Sequence, residues 1–196
     1  MIQCHYNRVA NPDPSQDLQL IKEFQAGREQ AFNELVLRHR RGVFVTAAGM
    51  LGNDQDADDV AQEVFIKVYT ALQDFRGESA FYTWLYRITV NLCLNRLRSR
   101  KTRSFIGIDS IEQIMPSSES ADRGAEASEL QKLARKAIAA LPEKQRIVFI
   151  LRHFHELPHA EIARIVDREV GTIKANYFQA IRKLRESLGP YFEGKE

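Results

Sequence analysis

His155-Glu156-Leu157-Pro158-His159 matches the H-E-x-x-H pattern of zinc hydrolases. That chemistry needs two histidines one helical turn apart on one face, with a glutamate base beside the metal-bound water. Pro158 defeats it. Inside a helix this proline would remove the hydrogen bond to Phe154, clash with that carbonyl and push Leu157 out of the α region. The reading is that Pro158 opens a new helix, that His155 and His159 sit on different elements, and that no metal or other cofactor is bound. No Gly-rich phosphate loop is present, since Gly77 and Gly107 stand isolated, and no G-x-S-x-G elbow occurs. Nothing specific supports an enzyme.

Charge is segregated along the chain. Asn53 to Glu63 carries Asp54, Asp56, Asp58, Asp59 and Glu63 with no basic residue, whereas Arg87 to Arg103 carries Arg87, Arg96, Arg98, Arg100, Lys101 and Arg103 with no acid. Two partners are implied, one basic and one anionic. The acidic run lacks the glycine and distal glutamate of a calcium loop, and carboxylates at a helix start are explained by the helix dipole. The exposed stripe that follows Asp56, made of Asp59, Gln62, Glu63 and Ile66, mixes acid with an apolar residue and suits a basic protein surface. Phe81, Tyr82, Trp84 and Tyr86 lie among Arg76, Arg87 and the Arg96 to Arg103 run. Arg87, Asn91 and Arg98 share one helical face. Cations that track phosphates beside aromatic faces that stack bases are what single-strand binding requires; a packed helix with a basic tail is the competing reading.

These residues need helices to hold them. The chain has 196 residues, a formal charge of +2, 44% apolar and 28% charged residues, which fits one or two folded domains and excludes wholesale disorder, collagen and coiled-coil rods. Cys4 and Cys93 make no disulfide framework, the N-terminus has no apolar signal region, and no apolar run nears the ~18 residues of a membrane span. A reduced, cytoplasmic location without membrane insertion follows. Helical periodicity dominates, and no segment alternates long enough for a strand. Ala57, Val60, Ala61, Val64, Phe65, Val68 and Leu72 mark one helical face, with Asp56 as expected N-cap and Asp59 three residues on. Phe81, Trp84, Leu85, Ile88 and Leu92 mark another after Ser79, its expected cap. Leu18, Ile21 and Phe24 form a short helix ended by Gly27, and Phe32, Leu35, Val36, Val43 and Phe44 supply further core faces.

The fold class read from this is all-α, as two small helical domains on a flexible linker. Residues 1–15 are a tail and 16–101 the first domain. Residues 102–127, with Gly107, Pro116, Ser117, Ser118, Ser120 and Gly124, are the linker. Residues 128–190 form the second domain and 191–196 a tail. Ser128 with Gln131 is a capping-box start for a helix burying Leu130, Leu133, Ala137 and Ile138. Leu141-Pro142-Glu143 restarts the chain as a helix burying Ile147, Val148 and Leu151. A short helix through Ile162 to Val166, a turn at Asp167 to Glu169 and a longer helix through Leu188 form a helix-turn-helix outline. On the last helix Ile173, Tyr177, Ile181, Leu184 and Leu188 are the buried stripe, while Ala175, Gln179 and Arg182 point away, flanked by Lys174 and Phe178.

The segment DADDVAQEVFIKVYTALQDFRGESAFYTWLYRITVN, followed by the linker and by LPEKQRIVFILRHFHELPHAEIARIVDREVGTIKANYFQAIRKLR, resembles the bacterial extracytoplasmic-function (ECF) RNA polymerase sigma factors. The resemblance covers nearly the whole chain after residue 16. It implies a region 2 helical bundle and a region 4 helix-turn-helix, and a non-enzymatic role in transcription initiation: binding core polymerase through its clamp coiled coil and flap, reading promoter DNA and helping to open it, in response to stress or an external signal. An anti-sigma factor is an implied partner. By position, Asp56, Asp59, Gln62, Glu63 and Ile66 correspond to the polymerase-docking surface. Phe75, Arg76, Ser79, Tyr82, Trp84, Tyr86, Arg87, Asn91 and Arg98 correspond to the minus-ten reader, where a flipped base sits in a loop pocket. Lys174, Ala175, Phe178, Gln179 and Arg182 correspond to the minus-thirty-five reader. The chain departs from the family pattern at Asp167, where glycine is usual, and at Ala175, Asn176, Gln179 and Ile181, where Ser or Arg is frequent. A free-standing helix-turn-helix regulator is the alternative, with a zinc hydrolase third.

Overall fold

The computed structural model describes residues 9, 12–105 and 125–193. Most of the expected linker, most of the two tails and the side chains of Ser128 and Leu130 lie outside the described residues. Among those described, every regular element is helical.

Helix α1 (Pro14–Gln25) starts from Asp13, whose carboxylate accepts the Ser15 amide at 2.9 Å, and Gly27 turns the chain beyond it with φ +99. Helix α2 (Gln30–Leu51) ends at Gly52 in the left-handed region, φ +71, where the missing Cβ removes the usual penalty. Helix α3 (Asp54–Ala71) is capped by Asn53 and not by Asp56: the Asn53 side chain accepts the Asp56 amide at 3.1 Å, which puts Asp56 within the first turn. A 3-10 turn, Leu72–Asp74, leads to a loop and then to α4 (Phe81–Phe105). Here too the expected cap moves. The Ala80 carbonyl receives the Thr83 and Trp84 amides, and Ser79 lies one residue outside the helix.

Helices α1 to α4 close around Leu35, Val43, Val60, Val64, Val68, Leu72, Phe81, Leu85 and Cys93, all essentially buried. Burial pushes the Cys93 thiol up to about 12. One charged cluster sits in this apolar setting. Asp17 of α1 is fully buried, meeting Arg38 Nε at 3.0 Å and His39 Nε2 at 2.9 Å from α2.

The second bundle comprises α5 (Ala125–Ala139), α6 (Glu143–His153), α7 (His159–Val166), α8 (Val170–Leu188) and the short α9 (Pro190–Glu193). Helix α5 starts ahead of Ser128, so the expected capping-box residue lies within the helix. Pro142 and Pro158 each occupy the position before a helix, where a fixed φ and a missing amide cost nothing. Asp167 adopts φ +53 to close α7, and the Arg168 amide returns to the Ala163 carbonyl at 3.0 Å. Aspartate tolerates this conformation better than most residues, so the departure from glycine leaves the turn intact. Ile173, Ala180, Leu184 and Leu188 are the buried stripe of α8; Tyr177 and Ile181 are partly buried at its edge.

The two bundles share one continuous apolar core. Helix α6 lies on α2 where Gly49 leaves room: a Cβ there would stand 2.9 Å from Ile150 Cδ1, and Ile150 is fully buried, worth ~1.5 to 3 kcal/mol relative to exposure. Arg146 Nη1 donates to the Met50 carbonyl at 2.6 Å, and the Val9 amide to the Phe154 carbonyl at 2.8 Å.

Removing one partner from a buried charge cluster leaves the others uncompensated. Asp17→Ala is therefore expected to lower unfolding free energy by about 3 kcal/mol, measured by urea denaturation; a loss below about 1 kcal/mol would mean that Arg38 and His39 do not depend on it.

Candidate nucleic-acid interface

The loop between the 3-10 turn and α4 is built on aromatic contacts. The Phe75 ring lies 5.1 Å from Trp84 and 6.1 Å from Phe81, and Phe81 lies 5.9 Å from Trp84. Phe81 is buried, whereas Phe75, Ser79, Tyr82 and Trp84 are half-buried and Arg76 is exposed. Gly77 takes φ +72 and forms the bend. Along α4, Arg87, Asn91 and Arg98 are exposed. The loop and this face thus present aromatic edges, a cation and an amide together, the donor set that a single strand requires.

Tyr86 is the exception. It is 1% exposed, its ring 4.6 Å from that of His155, and its hydroxyl occupies the space above Gly42. In this conformation it presents no face to a base. The reason is the apposed second bundle, which also engages other residues of α4: Thr83 Oγ1 donates to Glu161 Oε2 at 2.9 Å, and Arg87 donates to the Arg164 carbonyl. Helix α7 thereby covers the first half of α4.

His155 and His159 do not converge. His155 is fully buried, its Nε2 2.8 Å from Thr46 Oγ1. Thr46 spends its one hydroxyl hydrogen on the Gly42 carbonyl at 2.9 Å, so His155 Nε2 carries the proton and donates. His159 instead faces Tyr177, ring centres 5.7 Å apart. Among the described residues no group of His, Cys, Asp or Glu is arranged to hold a metal ion.

The acidic and basic runs that are separate in sequence meet in space. Arg96 reaches Asp56 at 3.4 Å and Asp59 at 3.0 Å, and Arg100 also pairs with Asp56. Asp56 and part of Asp59 are therefore occupied within the protein. Glu63 meets Lys67 at 3.8 Å. Gln62 is exposed and Ile66 is 66% exposed. Beside them runs an apolar groove of about 790 Å³ between α2 and α3, lined among others by Phe32, Val36, Phe65, Ile66 and Tyr69, with Arg40 and Arg41 at its edge. The periodic pattern assigns Phe32, Val36 and Phe65 to the core. They are only partly buried, and the one sequence signal of a surface role is the Arg40-Arg41 pair beside them.

On α8, Lys174, Ala175 and Phe178 are exposed, Phe178 at 65%; Gln179 is half-buried, and Arg182 is exposed with Glu186 at 3.6 Å. Asn176 folds back along the helix surface, donating to the Thr172 carbonyl at 3.0 Å. Lys174, Ala175, Phe178 and Arg182 make the exposed face of α8.

Residues 35–103 match the family model Sigma-70 region 2, and residues 131–184 match Sigma-70, region 4. The chain is 36% identical over 187 residues to the RNA polymerase sigma-H factor of Pseudomonas aeruginosa, covering 89% of this chain and 95% of that protein. It is 37% identical over 184 residues to the ECF RNA polymerase sigma-E factor of Escherichia coli K12, with the same coverage. The chain belongs to the ECF sigma factors. Two solved structures share the fold of this sigma factor: CnrH in complex with the cytosolic domain of CnrY, with TM-score 0.64, 22% identity and coverage of 92% of this chain and 99% of that one; and RpoE in complex with the anti-sigma factor NepR from Bartonella quintana, with TM-score 0.69, 21% identity and coverage of 81% and 96%. The sigma factor serves bacterial RNA polymerase in initiating transcription at promoters, and its second bundle carries the DNA-binding helix-turn-helix. No helix among the described residues is long and apolar enough to cross a membrane.

Burial pulls the His155 imidazole down to about 3, against ~6.5 for an unfolded histidine. The contribution of neutral His155 to stability is complete above ~6.5 and is lost as pH falls towards 3, because there only the unfolded chain takes up the proton. Urea midpoints measured from pH 7 to pH 4 should fall more steeply for the wild type than for His155→Gln, whose amide can still donate to Thr46 and does not titrate. Identical slopes would show that His155 is not held neutral.

Proposed function

We propose that residues 16–101 dock on the polymerase clamp coiled coil and capture the minus-ten strand, and that residues 128–190 read the minus-thirty-five element and meet the flap, with 102–127 as the connection between them. Docking is assigned to Gln62, Glu63 and Ile66, with Asp56 and Asp59 shaping the same face through Arg96. Minus-ten capture is assigned to Phe75, Arg76, Ser79, Tyr82, Trp84, Arg87, Asn91 and Arg98; Tyr86, held between Gly42 and His155, is left out. The protein acts in the cytoplasm as a non-catalytic initiation factor that needs no cofactor. The anti-sigma factor bound to the sigma factor RpoE in one of the two solved complexes supports an anti-sigma factor as its regulator.

The observation that carries this reading is the α3 face. A large apolar side chain, Ile66, stands in solvent beside an apolar groove lined by Asp58 on one side and by Arg40 and Arg41 on the other, an arrangement that stability does not require and that a charged, partly apolar helix surface of a partner would cover. Transcription reconstituted from purified core polymerase and a promoter library tests it. Exposed substitutions cost within about 0.5 kcal/mol each, so Glu63→Lys combined with Ile66→Ser should melt like the wild type while core affinity drops by roughly tenfold or more. Undiminished core binding would remove the docking assignment.

The same library tests α8. Arginine pairs bidentately with guanine and glutamine with adenine, each worth ~1 to 3 kcal/mol of discrimination. Selection should favour adenine opposite Gln179, and Gln179→Arg should shift that position towards guanine. A selected sequence unchanged at every position would exclude Gln179 from base reading.

A further inference from the structure

The chain leaves the 3-10 turn at Phe75, which is extended at φ −68, ψ 118. The carbonyls at the end of this turn have no further helical turn to satisfy them. The Phe75 amide reaches the Leu72 carbonyl at 3.2 Å, and a side chain from outside supplies the remaining donors. Gln25, the last residue of α1, donates from Nε2 to the carbonyls of Leu72 and Phe75 at 3.0 Å each and to that of Gln73 at 3.2 Å. An amide nitrogen has two hydrogens, so one of these bonds is shared. Gln73 Nε2 answers by donating to the Gln25 carbonyl at 3.4 Å. The same helix supports the loop at a second point: Leu18 Cδ2 stands 3.7 Å from where a Cβ on Gly77 would lie. Phe24, beside Gln25, is fixed against Phe32 and Tyr69, with ring centres 5.8 and 5.4 Å away. Helix α1 is therefore a firm bed on which the loop is laid.

Anchoring the Phe75 carbonyl fixes the direction in which its ring leaves the chain, onto Trp84 and Phe81, and so where residues 76 to 79 project. We infer that Gln25 is a positioning residue for capture of the minus-ten strand: through three carbonyls it sets the shape of the loop that holds the minus-ten base. This inference rests on the assignment of that loop to minus-ten capture. A site held a fraction of an ångström out of place loses much of its affinity without loss of fold.

The test uses the full chain assembled with core polymerase. Gln25→Met keeps the side-chain length and removes the donor; Gln25→Lys restores a donor; Arg76→Ala with Ser79→Ala alters the loop itself. The probe is a fluorescent single-stranded DNA carrying the minus-ten sequence selected from the promoter library. Trp84 is the only tryptophan in the chain, so its emission, recorded on the free full chain before core polymerase is added, reports the loop directly.

For Gln25→Met we expect affinity for the strand to fall about tenfold and Trp84 emission to shift, with core affinity and melting temperature held near wild type. Gln25→Lys should recover most of the affinity. Wild-type strand binding by Gln25→Met, beside a loop variant that loses it, overturns the role of Gln25 alone. So does a loss of strand binding matched by an equal loss of core binding or by a collapsed melting temperature, which marks Gln25 as general support for the fold. A loop variant that binds like wild type removes the minus-ten assignment, and the role of Gln25 with it.

Discussion

Helix α2 buries a face along nearly its whole length, against α1, α3 and α4 of its own bundle and against α6 of the other. Its sequence permits this because the face turned to the second bundle is small. Gly42, Thr46 and Gly49 follow at helical spacing, and the larger groups that fill the space come from elsewhere: the Tyr86 hydroxyl over Gly42, His155 on Thr46 and Ile150 over Gly49. Close approach of backbones then lets the two cores merge. That contact decides what the rest of the surface can do. It draws α7 over the first half of α4, submerges Tyr86, and leaves α8 and the α2–α3 groove facing outwards.

The helices themselves were legible because amphipathic spacing is a property of the chain alone. Val60, Val64, Val68 and Leu72 fall on one face by arithmetic, and Pro142 and Pro158 restrict the backbone wherever they occur. Caps were less legible. Asn53, Asp54 and Asp56 all suit a helix start, and the choice among them rests on which residue is extended, a matter of how α2 ends at Gly52. The face of α3 had a similar limit. Periodicity marks Phe65 and Ala61 as apolar but says nothing of how wide a strip the neighbouring helices cover, so the open edge that forms the groove reads as core.

Electrostatic readings were the least secure, for a reason of geometry. An acidic run and a basic run separated in sequence imply separate partners only if the fold keeps them apart. Here α3 and α4 pack side by side, and Arg96 and Arg100 return to Asp56 and Asp59. These half-buried ion pairs remove charge from the surface a partner sees. What is left on α3 for a partner is narrower and more apolar than the sequence implies. Tyr86 follows the same logic: an aromatic at helical spacing beside arginines is compatible with stacking on bases, and only the fold shows that a neighbouring bundle has taken its face.

Cys93 carries a consequence for how this protein can be addressed by oxidants. Peroxides and disulfide exchange require the thiolate as nucleophile, and burial that pushes the thiol up to about 12 disfavours that form at neutral pH. The sulfur is also closed off, at 0% exposure in the centre of the first bundle. While α4 stays packed, Cys93 is a small hydrophobe that neither senses oxidative stress nor suffers from it. Any redox signal that alters the output of this sigma factor has to enter by a route other than this sulfur.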